Sequence, residues 1–167
     1  MDRDESEKKD AEHWSAVEEA TELLAEERFH EALTMLRDII KADPQNPYAY
    51  FFLGQGLYEV GELAPSRDAY RACLTLAPKH LGARIALSHV LRKLGETRDA
   101  VKEGLLALEQ APADADALYA VGLAYAARDE KTAARRYLEA FLQAKPELET
   151  KLEVEGLLAS FGDRDVN

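Results

Sequence analysis

The chain has 167 residues, 47% of them hydrophobic, and a formal net charge of −11, which suits one domain with a continuous core. The acidic balance argues against nucleic acid as a partner, because phosphates are bound by clustered Lys and Arg. No window of about 18 apolar residues predicts membrane insertion. The first ten residues, MDRDESEKKD, contain no apolar stretch of a secretory signal. We therefore expect a cytoplasmic protein.

Four prolines divide the chain into blocks of equal length. They are Pro44, Pro78, Pro112 and Pro146, each 34 residues after the one before. A fixed period of this size is typical of stacked repeats, in which each unit contacts only its neighbours. The blocks are 13–46, 47–80, 81–114 and 115–148.

In chain order, an acidic segment over 1–10 precedes the first block and is expected to be flexible or the frayed start of a helix. Each block then predicts two helices, at about 11–26 and 29–42, 47–60 and 63–76, 81–94 and 97–110, and 115–127 and 131–144. Gly61 and Gly95 fall between the two helices of their blocks, where a left-handed residue ends the first helix. Residues 147–161 have apolar side chains at helical spacing, with Gly162 as the stop, and predict a helix that caps the last unit. A flexible tail is expected at 163–167.

Two columns of the repeat contain only small residues. The eighth position of the blocks holds Ala20, Gly54, Ser88 and Gly122, and the twentieth holds Ala32, Ser66, Ala100 and Ala134. Small side chains at such points let two helices of a hairpin approach closely. Each block therefore predicts a helical hairpin.

This pattern resembles the tetratricopeptide repeat (TPR) family. The second block carries the family's spacing of large, Leu, Gly, large, small, aromatic, small and Pro at Tyr50, Leu53, Gly54, Leu57, Ser66, Tyr70, Cys73 and Pro78. The third block departs from it at Arg84 and Gly104. The resemblance implies an all-α fold, a right-handed superhelical α-solenoid of four helix-turn-helix units plus a C-terminal capping helix. It implies a single TPR domain over 11–162.

The resemblance also implies that the first helix of each unit lines a concave groove that binds a segment of another protein. The candidate groove residues are Tyr48, Phe51, Phe52, Gln55, Tyr58, Ile85, His89, Arg92, Tyr119 and Leu123, with Trp14 as a possible contact at the edge. Phe51, Tyr58 and Tyr119 stand where family members pack aromatic rings between units. Tyr48, Phe52, Leu123 and Trp14 stand where the family usually has polar residues, and exposed apolar patches mark binding surfaces. The alternative is that the acidic N-terminal segment or the curvature of the stack covers them.

A basic strip lies beside the apolar positions of the groove. His89, Arg92 and Lys93 are about one helical turn apart. They are expected either to hold a carboxylate of a partner or to offset Glu59 and Asp116 on adjoining helices.

Family members that hold the acidic C-terminus of heat-shock chaperones use Lys, Asn and Arg at fixed positions. Those positions hold Val17, Thr21, Phe52, Gly82 and Ala86 here or, one unit later, Phe51, Gln55, Ala86, Asp116 and Ala120. That clamp is absent, and a heat-shock co-chaperone role of that kind is disfavoured.

No residues predict catalysis or a metal site. The four histidines have no ligand-spaced partners, and no nucleophile motif or phosphate-binding loop is present. We expect a non-catalytic scaffold or adaptor without cofactor, in which Phe52→Asp abolishes partner capture and leaves helix content unchanged. One alternative is a chaperone for translocators of bacterial type III secretion, because the segment from Phe51 to Gly56 is similar to a stretch in those proteins. Another is a structural TPR protein that forms homo-oligomers through Trp14 or the capping helix.

Overall fold

The computed structural model describes residues 2–162, and Met1 and the predicted tail at 163–167 lie outside that range. Within it the chain forms α1 (Arg3–Ala25), α2 (Phe29–Ala42), α3 (Pro47–Glu59), α4 (Leu63–Leu76), α5 (Leu81–Lys93), α6 (Thr97–Gln110), α7 (Ala115–Ala127), α8 (Lys131–Gln143) and α9 (Leu148–Ser160). Helices α1 to α8 form four hairpins, and α1, α3 and α5 each contact the first helix of the next hairpin. The fold is an all-α solenoid that α9 closes at one end.

Helix α1 begins at Arg3, within the segment 1–10 that was expected to be flexible or frayed. Arg3 Nε lies 3.0 Å from Glu7 Oε1, one helical turn further on, and such pairs stabilise exposed helices. Asp10 accepts a hydrogen bond from the hydroxyl of Tyr48 on α3. The high charge of this segment suggested flexibility, but its charged residues stand at helical spacing and pair along the helix. The contact between Asp10 and α3 joins residues far apart in the chain and could not be read from the local sequence.

The turn inside each hairpin has one residue with a positive φ. The angles are 59° at Glu27, 82° at Gly61, 82° at Gly95 and 59° at Asp129. Glycine adopts this conformation without steric cost, and two units use an acidic residue at the same place. Gly61 and Gly95 therefore adopt the left-handed conformation that was predicted for them, and the same turn recurs in all four hairpins.

The last position of the first three units caps the helix that follows. Asn46 Oδ1 accepts from the N–H of Tyr48 at 3.1 Å, and His80 Nδ1 accepts from that of Ala83 at 3.0 Å. Asp114 occupies the same position and caps α7. These side chains satisfy amides that the start of a helix leaves unpaired, and they fix where α3, α5 and α7 begin.

The small residues of the two columns lie at the helix crossings. The buried Ser66 hydroxyl donates to the carbonyl oxygen of Gly54 at 2.7 Å, and that of Ser88 donates to Ala100 at 2.8 Å. A Cβ at Gly122 would lie 2.5 Å from Leu138 Cδ2. The close approach of the paired helices, which the sequence predicted, is confirmed.

Helix α9 packs on α8 through one of its two apolar stripes. Val154 and Leu158 are buried against Leu138 and Phe141. Leu148 and Leu152, which also belong to the apolar residues of the predicted helix, are 68% and 56% exposed. Residues two apart on a helix are related by a rotation of about 200° around its axis, so they lie on nearly opposite faces. Leu152 therefore faces away from α8 when Val154 faces it.

Candidate protein-binding groove

The predicted groove residues fall into two groups along the first helices. We call the first the aromatic cluster; it comprises Trp14, Tyr48, Phe51, Phe52 and His80. The second is the central cleft, a cavity of about 370 Å³ lined by Tyr58, Tyr70, Ala86, His89, Arg92, Lys93 and Tyr119. The two groups adjoin, because the ring centroids of Phe51 and Tyr70 are 5.9 Å apart.

The rings of the aromatic cluster contact one another in series. The Trp14 centroid lies 5.4 Å from that of Tyr48 with an angle of 78° between the planes, and 5.9 Å from that of Phe52. Phe51 lies 5.1 Å from Phe52 and 4.7 Å from His80. Edge-on and tilted pairs of this kind are favourable beyond the area that they bury. The cluster is thus stabilised by contacts within the chain.

Two members of the cluster are tied to the junction of α1 and α3. Phe52 packs against the buried cores around Val17 and around Leu24. The Tyr48 hydroxyl donates to Asp10 Oδ1 at 2.6 Å, and this bond, followed by burial, raises the pKa of Tyr48 to about 12. Trp14 is 42% exposed. A carboxylate at position 52 would meet two apolar cores, so Phe52→Asp would disturb the fold and does not isolate binding.

The central cleft combines cations with aromatic walls. Lys93 Nζ lies 4.8 Å from the centroid of the Tyr58 ring, a cation–π distance. The ring centroid of His89 lies 5.8 Å from that of Tyr119. On α5, Arg92 Nη2 lies 3.3 Å from His89 Nδ1. The cleft therefore presents hydroxyl groups and positive charge from three successive first helices.

His89 is neutral near neutral pH. Burial, followed by the charges of Arg92 and Lys93, lowers its pKa to about 4. A guanidinium group has no acceptor, so His89 Nδ1 must accept from Arg92 and the ring proton lies on Nε2. Burial also raises the pKa of Tyr119, whose hydroxyl stays protonated. His89 thus adds a hydrogen-bond donor to the cleft without adding charge.

Within residues 2–162, neither Arg92 nor Lys93 forms an ion pair with a carboxylate. The expected partners Glu59 and Asp116 are exposed on α3 and α7. In addition, Arg92 Nε is buried and has no hydrogen-bond partner in the described part of the chain. The expected pairing of the basic strip with Glu59 and Asp116 is therefore not formed among residues 2–162.

Three predicted residues belong to neither the aromatic cluster nor the central cleft. Gln55 is exposed on α3 and Ile85 is half-buried on α5. Leu123 packs against the core formed by Leu138 and its neighbours near α9. Tyr70 and His80 were missed as groove residues because one lies on a second helix and the other in a cap position. The signal for Tyr70 was its place as the aromatic residue of the repeat motif. The signal for His80 was its place as the last residue of its block, which Asn46 occupies in the block before.

The described residues offer no metal centre. No three His, Cys, Asp or Glu side chains among residues 2–162 come together as ligands. Cys73 is buried, which raises its pKa to about 12, so its thiol stays protonated and unreactive. None of the helices in this range is both long and apolar enough to cross a bilayer.

The repeat register matches a known protein family. The sequence profile described as Tetratricopeptide repeat matches residues 17–80 and 85–149, which is more than half of the chain. The chain belongs to the tetratricopeptide repeat family. Members of this family are in general non-catalytic interaction modules, and TPR hairpins account for α1 to α8. No curated protein sequence matches the chain significantly.

Several solved TPR structures are similar to this one. MamA has a TM-score of 0.74 and 21% sequence identity, over 84% of this chain and 82% of MamA. YrrB, a TPR protein with an unusual peptide-binding site, has a TM-score of 0.74 and 21% identity, over 82% of this chain and 71% of YrrB. The first TPR of Spaghetti (RPAP3), bound to the HSP90 peptide SRMEEVD, has a TM-score of 0.67 and 16% identity, over 70% of this chain and 93% of the RPAP3 chain. At these identities the likeness shows the fold.

Proposed function

We propose that this TPR protein is a non-catalytic scaffold that binds a segment of a partner protein along α1, α3, α5 and α7. The observation that carries the proposal is the central cleft, which is open to solvent and has unpaired cations between aromatic walls. A partly exposed Trp14 at the other end of the groove extends the apolar surface. Small clefts of this kind, with a few converging polar groups, are the usual form of a binding site.

The structural neighbours support this proposal at the level of the fold. YrrB has a peptide-binding site, and the first TPR of RPAP3 binds an HSP90 peptide. A partner segment that orders on docking would bind this chain with a Kd on the order of micromolar. A chaperone for type III translocators would use the same surface, so the experiment below covers that alternative.

Gln55 is the best position from which to detect an occupant of the groove. It lies four residues after Phe51 and three before Tyr58, and such residues share a helix face. Its side chain is exposed, so a photo-reactive benzoylphenylalanine at this position should leave the core intact. Lys102 is exposed on the second helix α6 and provides the matched control. Each protein is irradiated in lysate of the source cells, and the cross-linked products are identified by mass spectrometry.

We expect a partner that is cross-linked at position 55 and not at position 102. Equal cross-linking at both positions would contradict binding in the groove. A product that contains only this chain, in concentration-dependent amounts, would instead indicate self-association through the same surface.

A further inference from the structure

Among the half-buried arginines of residues 2–162, Arg92 differs in having no ion pair with a carboxylate. Three of them form ion pairs with carboxylates: Arg67 with Glu96 at 2.8 Å, Arg84 with Glu103 at 2.6 Å, and Arg128 with Glu130 at 2.7 Å. No such pair is formed by Arg92 within residues 2–162, although its Nε is fully buried. An unpaired buried donor costs free energy unless something outside the fold satisfies it.

No carboxylate lines the cleft around Arg92, although the charges of Glu59 and Glu153 act on the lining residues Tyr70 and Tyr119. Lys93, the next residue, adds a second positive charge and lies over the ring of Tyr58. His89 is neutral and can only accept from Arg92 at Nδ1, while Tyr119 contributes a ring and a hydroxyl group. The residues that line the cleft therefore carry two positive charges and no negative one, in a chain whose formal net charge is −11. A negatively charged ligand fits this arrangement by charge complementarity.

The size and depth of the cleft limit what that ligand is. Its volume of about 370 Å³ lies at the small end of ligand sites, which span roughly 300–1,000 Å³. The walls are the rings of Tyr58 and Tyr119, and Ala86 lies between them. A carboxylate on a short aliphatic stem matches this combination, because the stem packs on the rings while the oxygens reach the guanidinium group.

We infer that the central cleft holds an Asp or Glu side chain of the partner segment, with Arg92 as its principal hydrogen-bond donor. This inference rests on the proposed function and makes the partner an acidic peptide segment. The site is separate from the clamp of heat-shock-binding relatives, whose positions hold uncharged or acidic side chains here, such as Phe52, Ala86 and Asp116. Arg92 is instead provided by the last turn of α5.

Selection from a phage library of random seven-residue peptides tests the inference. The library is selected on the wild-type protein, on Arg92→Gln and on Arg98→Gln, which removes one charge from an exposed residue of α6. We expect Asp and Glu to be enriched among peptides that bind the wild type and Arg98→Gln, and the enrichment to disappear on Arg92→Gln. A recovered peptide, labelled with fluorescein, should bind Arg92→Gln at least about tenfold more weakly, since a charge-assisted hydrogen bond is lost.

Three further measurements distinguish a specific contact from a folding defect. The Nε–H resonance of Arg92 in the wild-type protein should shift when the labelled peptide is added, and should shift less with the Glu→Gln or Asp→Asn version of that peptide. Arg92→Lys retains the charge but loses the planar fork, and should bind with intermediate affinity. Circular dichroism should show the same helix content for all three variants.

The outcomes separate this inference from the proposed function. Enrichment of apolar peptides without Asp or Glu would overturn the inference and leave groove binding intact. Acidic peptides that bind Arg92→Gln as well as the wild type would also overturn it, because a diffuse attraction would explain them. Recovery of no peptide above an uncoated surface would count against both the inference and the proposed groove.

Discussion

The aromatic cluster and the central cleft lie on the same helices but differ in what satisfies their side chains. In the aromatic cluster the rings contact one another, and the Tyr48 hydroxyl is bound by Asp10. In the central cleft the cations lie against tyrosine rings and have no carboxylate partner among residues 2–162. The first region is satisfied by the fold itself. The second is left open to a ligand.

This difference shows that an aromatic side chain in a groove position can be engaged by contacts within the chain. Phe52 and Tyr48 were the preferred ligand contacts from the sequence, because the family usually has polar residues there. In the structure both pack at the junction of α1 and α3. Arg92 Nε, in contrast, is buried without a hydrogen-bond acceptor among residues 2–162. An unsatisfied buried polar group is thus more informative about a ligand than an apolar ring that has found neighbours.

The largest expected contrast between the two regions is in stability. Phe52→Ala removes a ring that contacts two buried cores, and we expect it to lower the free energy of unfolding by about 3 kcal/mol. Arg92→Gln removes no ion pair and should cost less than about 1 kcal/mol. Urea unfolding followed by circular dichroism measures both. Equal losses would mean that the central cleft is as much a structural element as the aromatic cluster.

The repeat made most of the fold predictable. The 34-residue period and the small columns place α2 to α8 within a residue or so of their observed ends, because each hairpin repeats the same local contacts. The departures in the third unit have local reasons. Arg84 pairs with Glu103, and a Cβ at Gly104 would lie 2.7 Å from Val121 Cγ2.

The groove was harder to predict, since its properties depend on contacts between units. The sequence identified Tyr58, His89, Arg92 and Tyr119 as groove residues, and the structure brings these four together around one cleft. It left open that the N-terminal segment covers Tyr48, but it did not identify Asp10, 38 residues earlier, as the partner of the Tyr48 hydroxyl. Burial of Arg92 Nε likewise follows from the packing of α5 between its neighbours. No periodic pattern contains that information.

A second contrast concerns how the central cleft responds to pH. Its His89 has a pKa of about 4, against an ordinary value of 6.5. The unfolded chain therefore binds a proton before the folded one does, and stability falls as the pH drops below 6.5. Between pH 7 and pH 5 this group should account for a loss of about 2 kcal/mol.

The variant His89→Gln isolates this contribution. Its free energy of unfolding should change by about 2 kcal/mol less than that of the wild type over the same interval. In the aromatic cluster His80 has a pKa that burial also lowers, so His80→Gln serves for comparison. Parallel curves for wild type and His89→Gln, measured by urea unfolding at each pH, would show that the cleft is better hydrated than its geometry indicates.

The smallest predicted effect tests whether the aromatic cluster is closed by the fold, as its comparison with the cleft requires. Tyr48→Phe removes the hydroxyl that binds Asp10, and Asp10→Ala removes the acceptor. Each change should cost about 1 kcal/mol, and together they should cost less than the sum, because the bond is lost only once. Hydrogen exchange should become faster in the first turns of α1, which this bond fastens to α3. Additive losses with unchanged exchange would mean that Tyr48 is free to contact a ligand, and the two regions would then form one binding surface.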